Sequence, residues 1–361
     1  MTPDQTFSPS RLPAVCGFNL LEKFCWTPQR PRGEPFLAWD FDFIAGQGFG
    51  FVRLPMDYRT WTRDLDGQRR DIDQGALAEV AAAVEMGRQR GLHVCVNLHR
   101  GPGYCINQPE LEPFNLWTDP AAQECFAHHW RALAKLLAGY SNEHCSFDLL
   151  NEPPGYDEAG FSPQSHRQVM GLAAAAIRQV SPDRLIICDG HDGGHSPNPE
   201  LADLGVAQSC RGYIPMQITH YRAGWLGLGE DFPWPEPAWP INEPGDIPGL
   251  TGPWDAQQLK QRVYGPWREM ESRGVSIHCG ELGVFNRTPA DVTYAFMDDL
   301  LGVLGEFGWG WALWNLRGPF GVLDNHRAGV QTEPCDGHAL DRRLLEILKK
   351  HNSIAKAGEC L

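Results

Sequence analysis

The chain has 361 residues, with 31 Lys and Arg against 45 Asp and Glu, a formal net charge of −14. Phosphate contacts need clustered Lys and Arg, so this balance argues against a nucleic-acid partner and against a polybasic membrane-surface role. Hydrophobic residues make up 42% and charged residues 21%, a globular mixture rather than a disordered one.

No apolar run approaches the ~20 residues of a membrane helix. Residues 1–10 lack a basic stretch followed by an apolar one, so no secretory signal is read and a cytoplasmic location is expected. The 11 cysteines are scattered and odd in number, without CxxC pairs or zinc spacing. Cys95, Cys188 and Cys279 sit inside short apolar runs, which predicts buried free thiols rather than a disulfide framework.

In chain order, eight short apolar runs predict strands at 14–20, 51–54, 92–98, 146–150, 184–188, 215–219, 275–279 and 309–314. Helical spacing of apolar residues predicts helices at 76–90, 120–140, 163–180, 256–273, 289–307 and 340–351. Alternating strand and helix implies parallel strands joined by crossover helices. The first strand runs into 21–26 with no GxGxxG, and there is no P-loop, so an open nucleotide-binding sheet is disfavoured. The expectation is an α/β fold, a (β/α)8 barrel forming one domain over 1–361 with long βα loops. The longest loop, 222–253, is rich in Pro, Gly and Trp. Trp225, Trp234 and Trp239 in it, and Trp254 just beyond, offer flat apolar faces that suit sugar rings, or else pin loops down.

Barrel enzymes build their sites at the C-terminal ends of the strands. Here those ends read Arg53, then Asn97-Leu98-His99-Arg100, Asn151-Glu152-Pro153, His220-Tyr221, Gly280-Glu281-Leu282-Gly283 and Trp314-Asn315. Two carboxylates on different strands, accompanied by Arg, His, Asn and Tyr, fit glycoside hydrolysis. That reaction needs one protonated carboxyl to hand a proton to the leaving oxygen and one ionised carboxylate to attack the anomeric carbon.

The ordered set, from Gly17-Phe18-Asn19 to Trp314, resembles glycoside hydrolase family 5, the cellulase-type retaining β-glycosidases of the (β/α)8 clan. Asn151-Glu152-Pro153 looks like the acid/base signature after strand four, and Gly280-Glu281 like the nucleophile motif after strand seven. The resemblance implies Glu152 as general acid/base and Glu281 as nucleophile. It implies Arg53 and Tyr221 on Glu281, Asn151 on the sugar 2-hydroxyl, and His99 and His220 on sugar hydroxyls or the carboxylates. Trp314 would stack under the reacting sugar. Retention implies carboxyl groups ~5–5.5 Å apart, and neither a metal nor an organic cofactor is implied. The departures are His99-Arg100-Gly101-Pro102-Gly103-Tyr104, where many relatives carry a second His or an Asp, the Glu-Leu-Gly form of the nucleophile motif, and the long loop. These bear on the substrate rather than on the catalytic pair.

The implied activity is endo-β-1,4-glucanase-like cleavage of an oligo- or polysaccharide, with an exo-acting β-glucosidase or β-mannosidase type as the alternative. Loop 222–253 would close one end of the cleft in the exo case. A metal-dependent hydrolase would draw on His99, Asp189, His191, Asp192, His195 and His220. A transglycosidase would use the same covalent intermediate. A carbohydrate-binding protein without activity is disfavoured because both glutamates are present.

Overall fold

A computed structural model of the chain describes residues 7–357 except 28, 31–32, 108–111, 230 and 243–252. Eight strands follow one another in the order of the sequence and close into a parallel barrel. They are β1 (Cys16–Asn19), β2 (Phe51–Asp57), β3 (His93–Arg100), β4 (Cys145–Asp148), β5 (Ile186–Asp189), β6 (Ala207–Gly212), β7 (Ile277–Leu282) and β8 (Trp311–Leu313). Helices between them bear out the (β/α)8 expectation. Strands covered on both faces carry near-continuous apolar runs, and all four residues of β1, β4 and β5 are buried.

Contacts along the chain sort into two compact units, each discontinuous in sequence. The first comprises residues up to Pro13, Leu20–Cys210 and Glu269–His278. Its ladder aligns Arg53 with Cys95, Asn97 with Asp148, and Asp148 with Ile187. Its crossover helices start where short polar side chains satisfy the first free N–H groups. Asp73 accepts from Ala76 before Gln74–Arg88, and Asp119 from Ala121 before Pro120–Leu136. Ser162 and Ser165 cap each other at Pro163–Arg178.

The second unit comprises Ala14–Asn19, Arg211–Arg268 and residues from Cys279 onward. Here β8 pairs with β1 through Cys16 and Trp311, and with β7 through Leu282 and Leu313. Asn19 is buried and donates its Nδ2 to the Gly280 and Leu313 carbonyls at 3.0 and 3.3 Å, tying β1 to the strands that end at the candidate site. The helix Ala290–Phe307 stops at Gly308, whose φ of 71° a residue with a Cβ rarely adopts.

Two sequence expectations are corrected. The sixth strand is Ala207–Gly212, not 215–219; the latter stretch begins with Pro215, which has no N–H for a ladder, and Met216–Thr219 is a helical turn. The helix expected over 256–273 is interrupted: Ala256–Gln258 widens into a π turn at Leu259–Val263, and a new helix, Gly265–Ser272, begins. Gly265 and Pro266 explain the break, since proline removes a helical donor and clashes with the preceding turn. A first helix, Ala38–Gly46, and a short antiparallel ribbon of Glu333–Cys335 with His338–Leu340 escaped the periodicity reading.

The ten described cysteines are free and eight of them are buried. Burial pushes the Cys105 thiol up to about 11 and those of Cys125 and Cys145 up to about 12.

Candidate active site

In the first unit β2, β4, β5 and the turn after β4 converge on one buried guanidinium within β2. Arg53 donates Nε to Asp148 Oδ2 at 2.8 Å, and Nη2 to Asn151 Oδ1 at 3.1 Å and Asp189 Oδ2 at 3.4 Å. All four side chains are buried. A buried charge is tolerable when paired and hydrogen-bonded, and two carboxylates and an amide meet that condition here. Arg53 thereby fixes the amide of Asn151, whose own N–H donates to the Leu98 carbonyl at 3.0 Å.

Glu152 follows in the left-handed region with φ 47°, a conformation uncommon for a residue with a side chain. Both ends of its backbone are held. Its N–H donates to Asp189 Oδ2 at 3.1 Å, and its carbonyl accepts from the Tyr104 hydroxyl at 2.7 Å. Burial, with the Glu152 charge as the next cause, pushes the Tyr104 phenol well up, so it stays a donor. The turn that carries Tyr104 is held at the preceding residue. The buried Glu112 carboxylate accepts from Gly103 N–H at 3.1 Å and Tyr58 Oη at 2.8 Å, and pairs with Arg69 and Arg100 at 3.2 and 3.1 Å. Gly103 is required at its position: φ is 87°, and a Cβ there would lie 2.7 Å from the Leu116 nitrogen.

The second unit holds the other carboxylate. Glu281, on β7, is buried, with Arg211 Nη2 3.2 Å from Oε1 and the Tyr213 hydroxyl donating to Oε2 at 3.1 Å. A positive charge on one oxygen and a donor on the other favour the ionised form and fix its plane. Arg211 lies on β6 and Tyr213 directly follows it. The Glu-Leu-Gly sequence has a steric reason as well. A Cβ on Gly283 (φ 147°) would stand 3.2 Å from the Phe320 ring and 3.3 Å from the Trp314 carbonyl.

The remaining expected residues fall as follows. His99 is half-buried at the end of β3. His220 is buried, with Nδ1 2.9 Å from Thr219 Oγ1 and its ring edge-on to Tyr213 at 5.0 Å. Trp314 is half-buried, its N–H donating to the Leu282 carbonyl at 2.7 Å, and the Trp314–Asn315 peptide is cis. Tyr221 was expected beside Glu281, but the hydroxyl seen there is that of Tyr213. The Tyr221 ring lies edge-on to Trp234 at 5.7 Å and under Arg222 at 5.0 Å. Arg211 and Tyr213 are the functional residues that sequence reading missed, both because the sixth strand was set too late in the chain.

The residues weighed for a metal site have other partners. Asp189 serves Arg53 and Glu152, His191 Nδ1 lies 3.2 Å from Asn198 Oδ1, and His195 Nδ1 lies 2.8 Å from the Asp192 carbonyl. Among the described residues, no group of three or more His, Cys, Asp or Glu is arranged to hold a metal ion. Of loop 222–253, residues 230 and 243–252 lie outside the described residues.

Comparison with known proteins gives a consistent picture. A family model described as cellulase (glycosyl hydrolase family 5) matches residues 26–318. Endoglucanase C of Acetivibrio thermocellus is 25% identical over 312 residues, 81% of this chain and 88% of that protein. Cellodextrinase A of Ruminococcus flavefaciens is 23% identical over 261 residues, 70% of each. A solved glycoside hydrolase superposes with a TM-score of 0.86 at 39% identity, covering 94% of this chain and 99% of its own. Endoglucanase Cel5A of Thermotoga maritima shares the fold, with a TM-score of 0.70 at 21% identity over 92% and 96% of the two chains.

Proposed function

The chain belongs to glycoside hydrolase family 5, and on that premise we propose that it cleaves β-1,4-linked glucan chains internally, with Glu281 as nucleophile and Glu152 as acid/base. The observation that carries the assignment is the pairing of Glu281 with Arg211 and Tyr213, one partner on each carboxylate oxygen. A nucleophile must stay ionised and aimed, and this shell supplies a charge and a direction. Glu152 contrasts with it: half-buried, and mounted on a backbone fixed by Asp189 and Tyr104.

In the first step Glu281 attacks the anomeric carbon as Glu152 protonates the departing glycosidic oxygen, and a glycosyl ester forms on Glu281. In the second, Glu152, now a carboxylate, takes a proton from water. The hydroxide equivalent displaces Glu281, so two inversions give net retention. Asn151, its amide oxygen held by Arg53, is assigned to the sugar 2-hydroxyl, and Trp314 to the face of the reacting sugar. The names of the relatives support a β-glucan substrate. Cellodextrinase A also supports a second reading, action on short chains.

Two variants and one product analysis test this. Glu281→Ala should lose nearly all turnover and recover with azide as the inverted glycosyl azide; a retained azide would reassign the residue. Glu152→Ala should slow natural glucans by roughly 10²–10⁴-fold while sparing aryl glycosides with acidic leaving groups. Early products of several lengths from carboxymethyl cellulose would establish internal cleavage. A single short product from oligosaccharides alone would favour the short-chain reading.

A further inference from the structure

The turn 190–195 after β5, rich in histidine and aspartate, holds the backbone of the proposed acid/base. Glu152 is followed by Pro153 and Pro154, which have no N–H to give and carry carbonyls that still need donors. Both donors come from this turn. Asp192 N–H donates to the Pro154 carbonyl at 3.1 Å, and Gly193 N–H to the Pro153 carbonyl at 3.0 Å. The two donors are successive residues in the left-handed region, Asp192 at φ 56° and Gly193 at φ 64°. That conformation is uncommon for a residue with a side chain, such as Asp192.

The turn is itself built on one buried amide. Asn198 Oδ1 accepts from the His191 N–H at 3.0 Å and lies 3.2 Å from His191 Nδ1, while Asn198 Nδ2 donates to the Asp189 carbonyl at 2.8 Å. The Asn198 backbone exchanges two hydrogen bonds, each 2.9 Å, with the Gln208 side chain on β6. Asn198 and Gln208 are both fully buried. One side chain thus fixes residue 189, whose carboxylate holds the Glu152 N–H, and residue 191, whose ring stacks on Tyr156 at 4.1 Å. Tyr156 stands four residues after Glu152 and also stacks on Phe161 at 5.4 Å.

The segment from Glu152 to Tyr156 is therefore tied to this turn at its start, at both prolines and at its end. Such over-determination is what a left-handed Glu152 needs to persist. A proton donor works only within hydrogen-bond reach of the leaving oxygen, so its aim depends on this backbone. Asn198 exposes none of its surface and reaches the chemistry through the turn alone.

We propose that Asn198 is a remote positioning residue of the acid/base, locking the turn after β5 so that this turn aims the Glu152 carboxyl at the departing oxygen. The proposal rests on the reading of Glu152 as acid/base given above.

The test measures kcat/KM on cellotetraose and on dinitrophenyl cellobioside for the wild type, Asn198→Ala, Glu152→Ala and the double variant, with thermal unfolding of each. This parameter reports glycosylation, where cellotetraose needs a proton donor and dinitrophenolate does not. Asn198→Ala should lose about tenfold on cellotetraose, part of the roughly 10²–10⁴-fold that a placed proton donor supplies, and less than about twofold on the dinitrophenyl glycoside. In the Glu152→Ala background the same substitution should cost less than about twofold on either substrate, because no carboxyl is left to aim. Equal losses on both substrates, no loss on either, or losses that add in full to those of Glu152→Ala would overturn the proposal. If Asn198→Ala did not fold, His191→Ala, which removes the stack on Tyr156, should show the same split, and His191→Phe, which keeps a ring there, should show less of it. Glu152→Ala losing equally on both substrates would instead remove Glu152 as acid/base, a failure read without any Asn198 variant.

Discussion

Arg211 and Glu281 form a buried ion pair, Nη2 to Oε1 at 3.2 Å, between a strand and its neighbour in the barrel. The partner of the proposed nucleophile is thus set by strand register rather than by a mobile loop. Removing the guanidinium should lower kcat by roughly 10²-fold, the scale of a preorganised electrostatic contact. In Arg211→Met the acidic limb of the kcat/KM profile should also move to higher pH, since a lost positive charge disfavours the carboxylate. Arg211→Lys should restore part of the shift. A profile unmoved by Arg211→Met would mean that the pair is only structural.

Tyr213 places its hydroxyl on the other oxygen of Glu281. Tyr213→Phe removes one hydrogen bond to a charged group, worth ~1.5–3 kcal/mol. The decline should appear in kcat for glycosylation, read as a slower burst, while KM for oligosaccharides changes little. A rise in KM with an unchanged burst would place the hydroxyl on substrate instead.

The left-handed backbone of Glu152 is held from both sides, by Asp189 at its N–H and Tyr104 at its carbonyl. Tyr104→Phe should cost about one ordinary hydrogen bond, with turnover down roughly fivefold. Asp189→Ala should do more, because it also strips a partner from the buried Arg53. The check is whether each variant loses more on natural glucan than on a dinitrophenyl glycoside, as positioning of a proton donor requires.

Glu112 carries two arginines, a phenol and a main-chain N–H inside the first unit. Glu112→Ala leaves Arg69 and Arg100 short of a buried counter-charge and should cost ~3–5 kcal/mol of stability. Urea unfolding reads this directly. Glu112→Gln, which keeps an acceptor, should fall between.

Two buried histidines predict the acid limb of stability. His129 accepts from the Trp61 indole at Nδ1 and lies 2.7 Å from the Arg69 carbonyl at Nε2, which fits only the neutral ring. Burial lowers it to about 4, and His93 to about 3. An unfolded chain binds both protons below ~6.5 while the folded one does not. Stability should therefore be full above that pH and fall as pH drops toward 4, by ~1.4 kcal/mol per pH unit per histidine. Denaturant midpoints across pH 4 to 7 for the wild type and His129→Gln measure the slope, which should be shallower in the variant.

Most of the barrel is legible in the sequence because strands covered on both faces must be apolar, as in Ile186–Asp189 and His93–Arg100. The sixth strand is not, and the reason is chemical. Its side chains serve other polar groups: Gln208 exchanges hydrogen bonds with the Asn198 backbone, and Arg211 pairs with Glu281. Polar residues satisfied by tertiary partners look like loop to any hydrophobicity rule. The apolar stretch just beyond, starting at Pro215, looks like strand. Glu152 and Glu281, the proposed pair, can be singled out from sequence because each stands in a local motif, after the fourth strand and on the seventh. The Arg211–Glu281 pair joins residues far apart in the chain, and Arg211 carries no local signature.

The cysteines have a practical consequence. Eight thiols lie sealed in the interior, several with ionisation suppressed by burial, and alkylation proceeds through the thiolate. A thiol reagent added to native enzyme should mark little beyond the exposed Cys25 and the partly exposed Cys335 of the described set. Any opening of the barrel would register as a jump in mass under pulsed labelling. The chain therefore carries its own clock for unfolding, in crude extracts as well as in purified samples, with no dye or tag attached.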